Sequence, residues 1–343
     1  MFRRGENRQR ERHDRLQTDQ AQDHRHQAQR HDGHQQEQGH RLEGQQPLRV
    51  EHLAQVGQGA EVGLPQLVER TDRVGRLILN RPQALNALTT RMIETMTESL
   101  EKWASEGLRA VTIESASDRV FCAGGDIRQI RQNTLDGRCE DSKRFFSTEY
   151  ALNATLASYP VPVVALIGGL CMGGGLGLSV HGPFRVASSG ASFGMPETKI
   201  GFFPDVGGSH FLPRLPGSVG RYLALTGAQI GAVDALAFGL ATHVCSDDDL
   251  RRVPALLDEW DGPLDLLLGE ISLNRDSPYS DGPDEGGAAV LASRLRAAVD
   301  WAFGARDLSG IKARIEQLAQ RDDDQTGSDT ALSRWASEAL RAL

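Results

Sequence analysis

The sequence has few cysteines and no long apolar run. Its 343 residues include four cysteines, and no two of them form a CxxC pair. This spacing indicates neither a disulfide framework nor a zinc site. No apolar run approaches the roughly 20 residues that a membrane-spanning helix needs. We therefore predict a globular, cytoplasmic chain in a reducing setting, with no membrane contact.

The chain also lacks an excess of basic residues. Its 38 lysines and arginines are outnumbered by 46 acidic residues, which gives a formal net charge of −8. Proteins that bind nucleic acids usually carry a basic excess, so we predict no nucleic-acid partner. Apolar residues make up 39% of the chain, which is enough for a sizeable core.

Large apolar residues are scarce in the first 65 residues, where Gln, Arg, His, Asp and Glu dominate. Such a segment cannot bury enough apolar area to offset its conformational entropy, so residues 1–65 are predicted to be a disordered tail. The alternatives are a His-rich metal-binding tract, a wrongly assigned start, and a mitochondrial presequence. Acidic residues such as Asp14 and Asp19 argue against a presequence.

Two glycine turns each lie between a predicted strand and a predicted helix. The apolar run 163–167 leads to the glycines of 173–175, and the run 110–113 leads to the turn 121–126. A helix N-terminus presents unpaired N–H groups, so two such turns can direct two donors at one oxygen. The simpler interpretation is that these glycines only allow tight turns. No Lys-Ser/Thr pair follows either turn, so neither is a Walker loop.

Three acidic residues lie among bulky apolar neighbours. Glu197 and Asp205 follow the second glycine turn, and Glu149 lies on the apolar stripe of a helix predicted over 142–159. A carboxylate on an apolar face costs free energy unless it is paired, and burial raises its pKa. Glu149 is therefore either a helix-edge residue turned to solvent or an acid directed into a site.

The combination of motifs resembles the crotonase (enoyl-CoA hydratase/isomerase) superfamily and, within it, the branch that hydrolyses 3-hydroxyisobutyryl-CoA. The resemblance is strong from about Val68 to Cys245 and weaker beyond. It rests on five segments, which are 121–126, 147–150, 172–175, 195–198 and 203–208.

This resemblance implies an α/β protein with the crotonase (ClpP-like) fold. The family fold is a superhelix of ββα units followed by a helical region. We therefore expect a crotonase core at residues 66–250 and a C-terminal helical region at 251–343. Hydrolases of this branch continue for several more helices, so the helical region is expected to be truncated.

The resemblance also implies roles for individual residues. The backbone N–H groups of Gly125 and Gly174 would form an oxyanion hole for the thioester carbonyl. Glu197 matches the acid that attacks or activates at that carbonyl, and Asp205 matches the acid that works alongside it. Glu149 matches a residue that contacts the acyl group. The implied activity is hydrolysis of an acyl-CoA in valine catabolism, without a metal or redox cofactor, and a homo-oligomer is left open.

One departure from related enzymes bears on the reaction. A hydratase of this superfamily carries two glutamates; one matches Glu197, but the other falls at Gly177. A dienoyl-CoA isomerase has an aspartate where Asp205 lies. The alternatives are therefore an enoyl-CoA hydratase, a dienoyl-CoA isomerase, or a catalytically silent CoA-binding protein. Arg81 is a candidate for holding the CoA phosphates, with a solvated surface arginine as the alternative.

Overall fold

A computed structural model of the chain describes residues 65–272, 295–320 and 330–343. Almost all of the predicted tail, residues 1–65, lies outside the described residues. So does most of a loop-rich segment predicted at 271–287. The division of the remaining chain into a core and a C-terminal helical region at residue 250 stays a prediction.

The described residues form ten β-strands in two sheets. The larger sheet has the order β1-β2-β3-β5-β7-β10, and the smaller has the order β4-β6-β8-β9. Within them β1 and β2 pair antiparallel, as do β8 and β9, and all other pairs are parallel. The strands are β1 Gln66–Arg70, β2 Val74–Leu79, β3 Ala110–Ser115, β4 Val120–Cys122, β5 Val163–Ile167, β6 Leu170–Met172, β7 Phe184–Ser188, β8 Ser192–Gly194, β9 Gln229–Gly231 and β10 His243–Cys245.

Twelve α-helices accompany these strands in the described residues. They are α1 Thr90–Trp103, α2 Ile127–Leu135, α3 Cys139–Ala157, α4 Gly174–Ser179, α5 Gly208–Phe211, α6 Val219–Thr226, α7 Ala232–Phe238, α8 Asp247–Glu259, α9 Leu264–Ile271, α10 Arg296–Phe303, α11 Leu308–Gln320 and α12 Thr330–Ala342. Short 3₁₀ helices lie at Pro82–Ala84, Pro196–Ile200 and Leu212–Arg214.

The strand pairs repeat one arrangement along the chain. In each of the pairs β3/β4, β5/β6 and β7/β8, the first strand joins the larger sheet and the second joins the smaller one. A helical segment follows each pair, because parallel strands need a crossover connection. This repetition is the predicted succession of ββα units.

The larger sheet is buried on both faces. On β5, Val163, Ala165 and Ile167 join a core with α1, α3, α6 and α10 to α12. The alternating residues Val164 and Leu166 join a second core with α8 and α9. Since successive side chains of a strand point to opposite faces, this continuous apolar run is what a strand covered on both sides requires.

The sequence predicts helix caps at Thr89 or Thr90 and at Asp126, and both caps are confirmed, but a helix predicted from the pattern of residues 212–225 is not. Thr89 caps α1 by accepting a hydrogen bond from the Met92 amide at 3.3 Å, and Asp126 caps α2 through the Gln129 amide at 3.1 Å. A single helix over 212–225 is wrong. Proline lacks an N–H group and Gly217 has a positive φ, so the chain instead forms the 3₁₀ turn and then α6.

We expect Gly75→Ala to destabilise the fold where α1 packs on the larger sheet. A methyl group on Gly75 would lie 2.6 Å from the Trp103 ring, which is only 2% exposed and cannot move aside. Overpacking of this kind lowers the free energy of unfolding by about 1 to 3 kcal/mol. Urea denaturation measures the change. Gly190→Ala is the control, because a methyl group there meets no atom within 4 Å; equal stability of the two variants would contradict this packing.

Candidate active site

The parallel strands β4, β6 and β8 bring three predicted site residues to one edge of the smaller sheet. β4 leads to Gly125, β6 leads to Gly174, and β8 leads to Glu197 in the following 3₁₀ helix. These strands are neighbours in the order β4-β6-β8 and run in the same direction, so they end side by side. Sheet topology therefore joins residues that are about 70 positions apart in the sequence.

The two glycine turns pack against each other. A methyl group on Gly124, which has a φ of 103°, would lie 3.5 Å from the Gly174 amide nitrogen. An isolated β-bridge pairs Leu88 with Gly125. Its two hydrogen bonds run from the Leu88 amide to the Gly124 carbonyl and from the Asp126 amide to the Leu88 carbonyl, so the Gly125 amide takes no part in it. Neither the Gly125 nor the Gly174 amide has a hydrogen-bond acceptor among the described residues. Two unused donors thus lie at the contact between the turns.

Two carboxylates lie directly against the second turn. A methyl group on Gly174 would lie 2.6 Å from Glu149 Oε1, and one on Gly173 would lie 2.7 Å from Glu197 Oε1. A side chain at either position would displace a carboxylate from its place against the turn. The requirement for glycine here is therefore steric as well as conformational, although Gly173 also has a φ of 49°.

Glu149 is buried, with 2% of its surface exposed, on the same face of α3 as Phe145, Leu152 and Leu156. The alternative of a helix-edge residue turned to solvent is therefore wrong. Burial, with the nearby negative charges of Asp205 and Glu197, raises the pKa of Glu149 to about 8. Glu149 is mostly protonated at neutral pH.

Glu197 is 8% exposed, and its Oε2 atom is buried with no hydrogen-bond partner among the described residues. Burial and the charge of Asp205 raise the pKa of Glu197 to about 7, although its own backbone amide opposes the shift. Burial also raises the pKa of Asp205, against a hydrogen bond from Tyr150. The three predicted acids thus form one electrostatically coupled group.

Sequence analysis missed two side chains that contact the Asp205 turn. The Tyr150 hydroxyl donates a hydrogen bond to Asp205 Oδ2 at 2.7 Å. His181 Nε2 lies 2.9 Å from the Val206 carbonyl oxygen, which can only accept, so Nε2 carries the proton. Tyr150 directly follows Glu149 in its motif and could have been suspected, whereas no spacing in the sequence marks His181.

Gly177, on α4, is closed to larger side chains. A methyl group there would lie 2.7 Å from Val206 Cβ and 3.1 Å from Asn153 Oδ1. The position where a hydratase carries its second glutamate is therefore filled by neighbouring atoms. In this conformation the chain has no room for a glutamate at position 177.

A cleft of about 590 Å³ opens at Gly125 and runs along the start of α2. Arg81 lines it and forms a 2.8 Å salt bridge with Asp126, while Arg128 lines it from α2. Arg81 is therefore partly neutralised and held in place. A second cavity of about 310 Å³ is lined by Tyr150, Asn153, His181 and His210 among others.

Among residues 65–272, 295–320 and 330–343, no three or more His, Cys, Asp or Glu side chains are grouped so that they could hold a metal ion. The His-rich tract lies outside these ranges, and the absence of a cofactor stays a prediction. No helix in the same part of the chain has the length and apolar character needed to cross a membrane.

We expect Glu149→Gln to change how stability depends on pH. The Glu149 pKa rises from 4.5 to about 8 on folding, so the wild type loses stability as pH rises from about 4.5 through about 8. The glutamine variant lacks this loss, so its stability relative to wild type should increase by a few kcal/mol between about pH 5 and about pH 9. Chemical denaturation across this range measures it.

The control is Glu101→Gln, which changes an exposed glutamate of α1. Its curve of unfolding free energy against pH should follow that of the wild type. Parallel curves for Glu149→Gln and wild type would show that Glu149 carries no raised pKa.

The chain is similar to known proteins of two kinds, 3-hydroxyisobutyryl-CoA hydrolases and a ribosomal protein. A 3-hydroxyisobutyryl-CoA hydrolase of Danio rerio is 45% identical over 237 residues, covering 66% of this chain and 61% of the relative. The enzyme of that name from Dictyostelium discoideum is 41% identical over 292 residues, covering 81% of this chain and 70% of the relative. The small ribosomal subunit protein mS47 of Neurospora crassa is 36% identical, covering 77% and 52%.

The names of the two hydrolases contradict the predicted cytoplasmic location. Both are named as mitochondrial proteins. Cysteine spacing and net charge do not distinguish one reducing compartment from another. They therefore could not support the cytoplasm over the mitochondrion. The presequence alternative concerned residues 1–65, which lie almost entirely outside the described part of the chain.

Solved structures and family models identify the fold. An enoyl-CoA hydratase from Rhodobacter sphaeroides superposes with a TM-score of 0.67 at 34% identity, over 82% of this chain and 74% of that one. This likeness confirms the predicted crotonase fold. The family model described as enoyl-CoA hydratase/isomerase matches residues 74–343. The chain therefore belongs to the enoyl-CoA hydratase/isomerase family.

Proposed function

We propose that this protein hydrolyses the thioester of 3-hydroxyisobutyryl-CoA to the free acid and CoA, as a step of valine catabolism. One observation carries the proposal. Two carboxylates and two unused backbone amides meet at the turn 173–174, while Gly177 is closed to the second glutamate of a hydratase. The names of the Danio rerio and Dictyostelium discoideum relatives support the same activity.

The Gly125 and Gly174 amides are proposed to bind the carbonyl oxygen of the thioester. Attack on this carbonyl moves negative charge onto the oxygen, and donors already in place stabilise that charge without reorganising. Each donor of an oxyanion hole lowers the barrier by roughly 3 to 4 kcal/mol in other enzymes. Both amides are free of competing acceptors among the described residues, which suits them to this role.

Glu197 is proposed to act at the carbonyl carbon, as a nucleophile or as a base on water. Its pKa of about 7 leaves a substantial ionised fraction at neutral pH while keeping the carboxylate more basic than an exposed one. Its Oε2 atom is buried without a hydrogen-bond partner among the described residues, so no hydrogen bond to that atom has to break before it acts. The C–S bond breaks, the acyl carbon gains an oxygen from water, and the CoA sulfur leaves as a thiolate that then takes a proton.

Asp205 and Glu149 are proposed to have different protonation states. Asp205 accepts the Tyr150 hydrogen bond, and its negative charge raises the pKa of Glu197 and so its basicity. Glu149, with a pKa of about 8, is mostly a neutral acid at neutral pH and can donate a hydrogen bond. We assign that hydrogen bond to the 3-hydroxyl of the acyl group, next to Gly174.

The cleft beside Gly125 is proposed to hold part of the CoA moiety. It begins at one of the two proposed carbonyl donors, so a thioester bound there would extend its CoA portion along the start of α2. Arg81 and Arg128 place positive charge in this cleft, although Arg81 is already paired with Asp126. Arg128 is therefore the better partner for a phosphate.

The deciding experiment incubates the protein with 3-hydroxyisobutyryl-CoA and, separately, with crotonyl-CoA. We expect trapped thiol from the first substrate and no loss of the enoyl absorbance from the second. Glu197→Gln should abolish thiol release, because an amide is neither a nucleophile of this kind nor a base. Glu101→Gln, at an exposed position on α1, should retain the wild-type rate.

Other results would point to other functions. Loss of the enoyl absorbance without thiol release would show a hydratase. Thermal stabilisation by CoA without turnover would show a catalytically silent CoA-binding protein. Wild-type thiol release by Glu197→Gln would remove the role given to Glu197.

We expect Glu149→Ala to impair hydrolysis of 3-hydroxyisobutyryl-CoA more than that of isobutyryl-CoA, which lacks the 3-hydroxyl. Loss of one buried hydrogen bond should lower kcat/KM for the hydroxylated substrate by about tenfold relative to the other. Glu140→Ala is the control, because Glu140 is an exposed acid on the same helix. Equal losses for the two substrates would contradict the assigned contact.

A further inference from the structure

The turn that carries Asp205 is strained. Val206 has a φ of 41°, in a region that β-branched residues rarely adopt. Gly207 follows with a φ of 86°, and the Gly208 amide closes the turn on the Asp205 carbonyl at 2.6 Å. A conformation of this kind costs of the order of 1 to 3 kcal/mol and persists only where surrounding contacts impose it.

Two side chains from other elements impose this conformation. His181, which follows α4, donates from Nε2 to the Val206 carbonyl at 2.9 Å. Its ring also lies against Gly207, where a methyl group would approach Nε2 at 2.9 Å. From α3, the Tyr150 hydroxyl donates to Asp205 Oδ2 at 2.7 Å. The backbone of the turn is thus held by His181 and its carboxylate by Tyr150.

Aromatic packing fixes the same loop against α3. The Phe146 ring lies 6.0 Å from the Tyr150 ring and stacks on Phe202 at 5.8 Å. Phe202 in turn packs on Phe203 at 4.4 Å between ring centroids. The chain just before Asp205 is therefore tied to the helix that carries Tyr150, which keeps the hydroxyl and the carboxylate at a constant separation.

No salt bridge orients Asp205 among the described residues, and the ionisable groups coupled to it are Glu149, Glu197 and Tyr150. Glu149 lies on α3 and Glu197 on the 3₁₀ helix, while His181 contacts the turn at Val206 and Gly207. Glu149 is mostly neutral at neutral pH, whereas the ionised fraction of Glu197 repels the Asp205 carboxylate and favours its displacement. A neutral donor opposes that displacement without neutralising the charge.

We infer that Tyr150 is a positioning residue that, with His181 behind the turn, holds the Asp205 carboxylate in its working orientation beside Glu197. This inference rests on the proposed function and adds a residue to it. Tyr150 does not touch the reacting atoms; it acts through the 2.7 Å hydrogen bond. A hydrogen bond to the ionised form lowers the pKa of a carboxyl group, and this one offsets part of the increase that burial produces in Asp205.

Tyr150→Phe tests the inference, because it removes the hydroxyl and leaves the ring. Tyr150 is 39% exposed, so the change opens no cavity in the core. Tyr159→Phe is the matched control, since the Tyr159 hydroxyl also donates a 2.7 Å hydrogen bond but to the Leu100 carbonyl. Two readouts are used: steady-state kinetics with 3-hydroxyisobutyryl-CoA, and titration of Asp205 by NMR of ¹³C-carboxyl-labelled aspartate, assigned with Asp205→Asn.

For Tyr150→Phe we expect kcat to fall by about tenfold or more, while KM stays within about twofold of the wild-type value. Misplacement of a catalytic group slows the chemical step more than it weakens substrate binding. The Asp205 titration midpoint should move up by about one pH unit, because the ionised form loses a donor. Tyr159→Phe should match the wild type in both measurements.

An unchanged Asp205 midpoint in Tyr150→Phe would overturn the inference whatever happens to kcat. A moved midpoint with an unchanged kcat would also overturn it, since the hydrogen bond would then have no effect on the reaction. If the wild type released no thiol, the proposed function would fail separately, and the NMR titration would still decide whether Tyr150 controls Asp205.

Discussion

The absence of side chains at Gly173 and Gly174 is the constraint on which the site depends. Without β-carbons there, the carboxylates of Glu149 and Glu197 lie so close to the backbone that any other residue would displace them. The same absence brings the turn of Gly124 against the Gly174 amide. Backbone N–H donors and acidic side chains consequently lie close together in one site. Larger residues at these positions would separate them.

Crowding three acids together has an energetic consequence for the fold. Each carboxylate loses hydration, Asp205 raises the pKa of both glutamates, and Glu197 raises that of Glu149, so the native state is less stable at higher pH than a purely structural core would be. The surrounding structure offsets this by packing both faces of the larger sheet. The loss of stability is thereby limited to the site, where it is useful that side chains of the same kind differ in protonation state. Other enzymes with paired acids show the same pattern.

Much of the architecture and most of the site were predictable from the sequence, for local reasons. The glycine turns, the caps at Thr89 and Asp126, and the three acids are marked by neighbouring residues. The contact between Tyr150 and Asp205 joins residues 55 positions apart, so the position of Tyr150 beside Glu149 marks the residue but does not identify its partner. Most of α8 and all of α9 fall in the region predicted to be helical, 251–343, but their bounds were not predicted: α8 has Pro254 in its interior and α9 is short, so neither gives a clear helical pattern.

The packing of Val206 against Gly177 bears on how enzymes of this family can diverge. A glutamate at position 177 would need the space that Val206 Cβ now fills, and Val206 is fixed by the turn that presents Asp205. Acquiring the second acid therefore requires rebuilding that turn at the same time. In this chain a second glutamate would need position 177 and the Asp205 turn to change together, so Gly177→Glu alone would disturb the turn that presents Asp205.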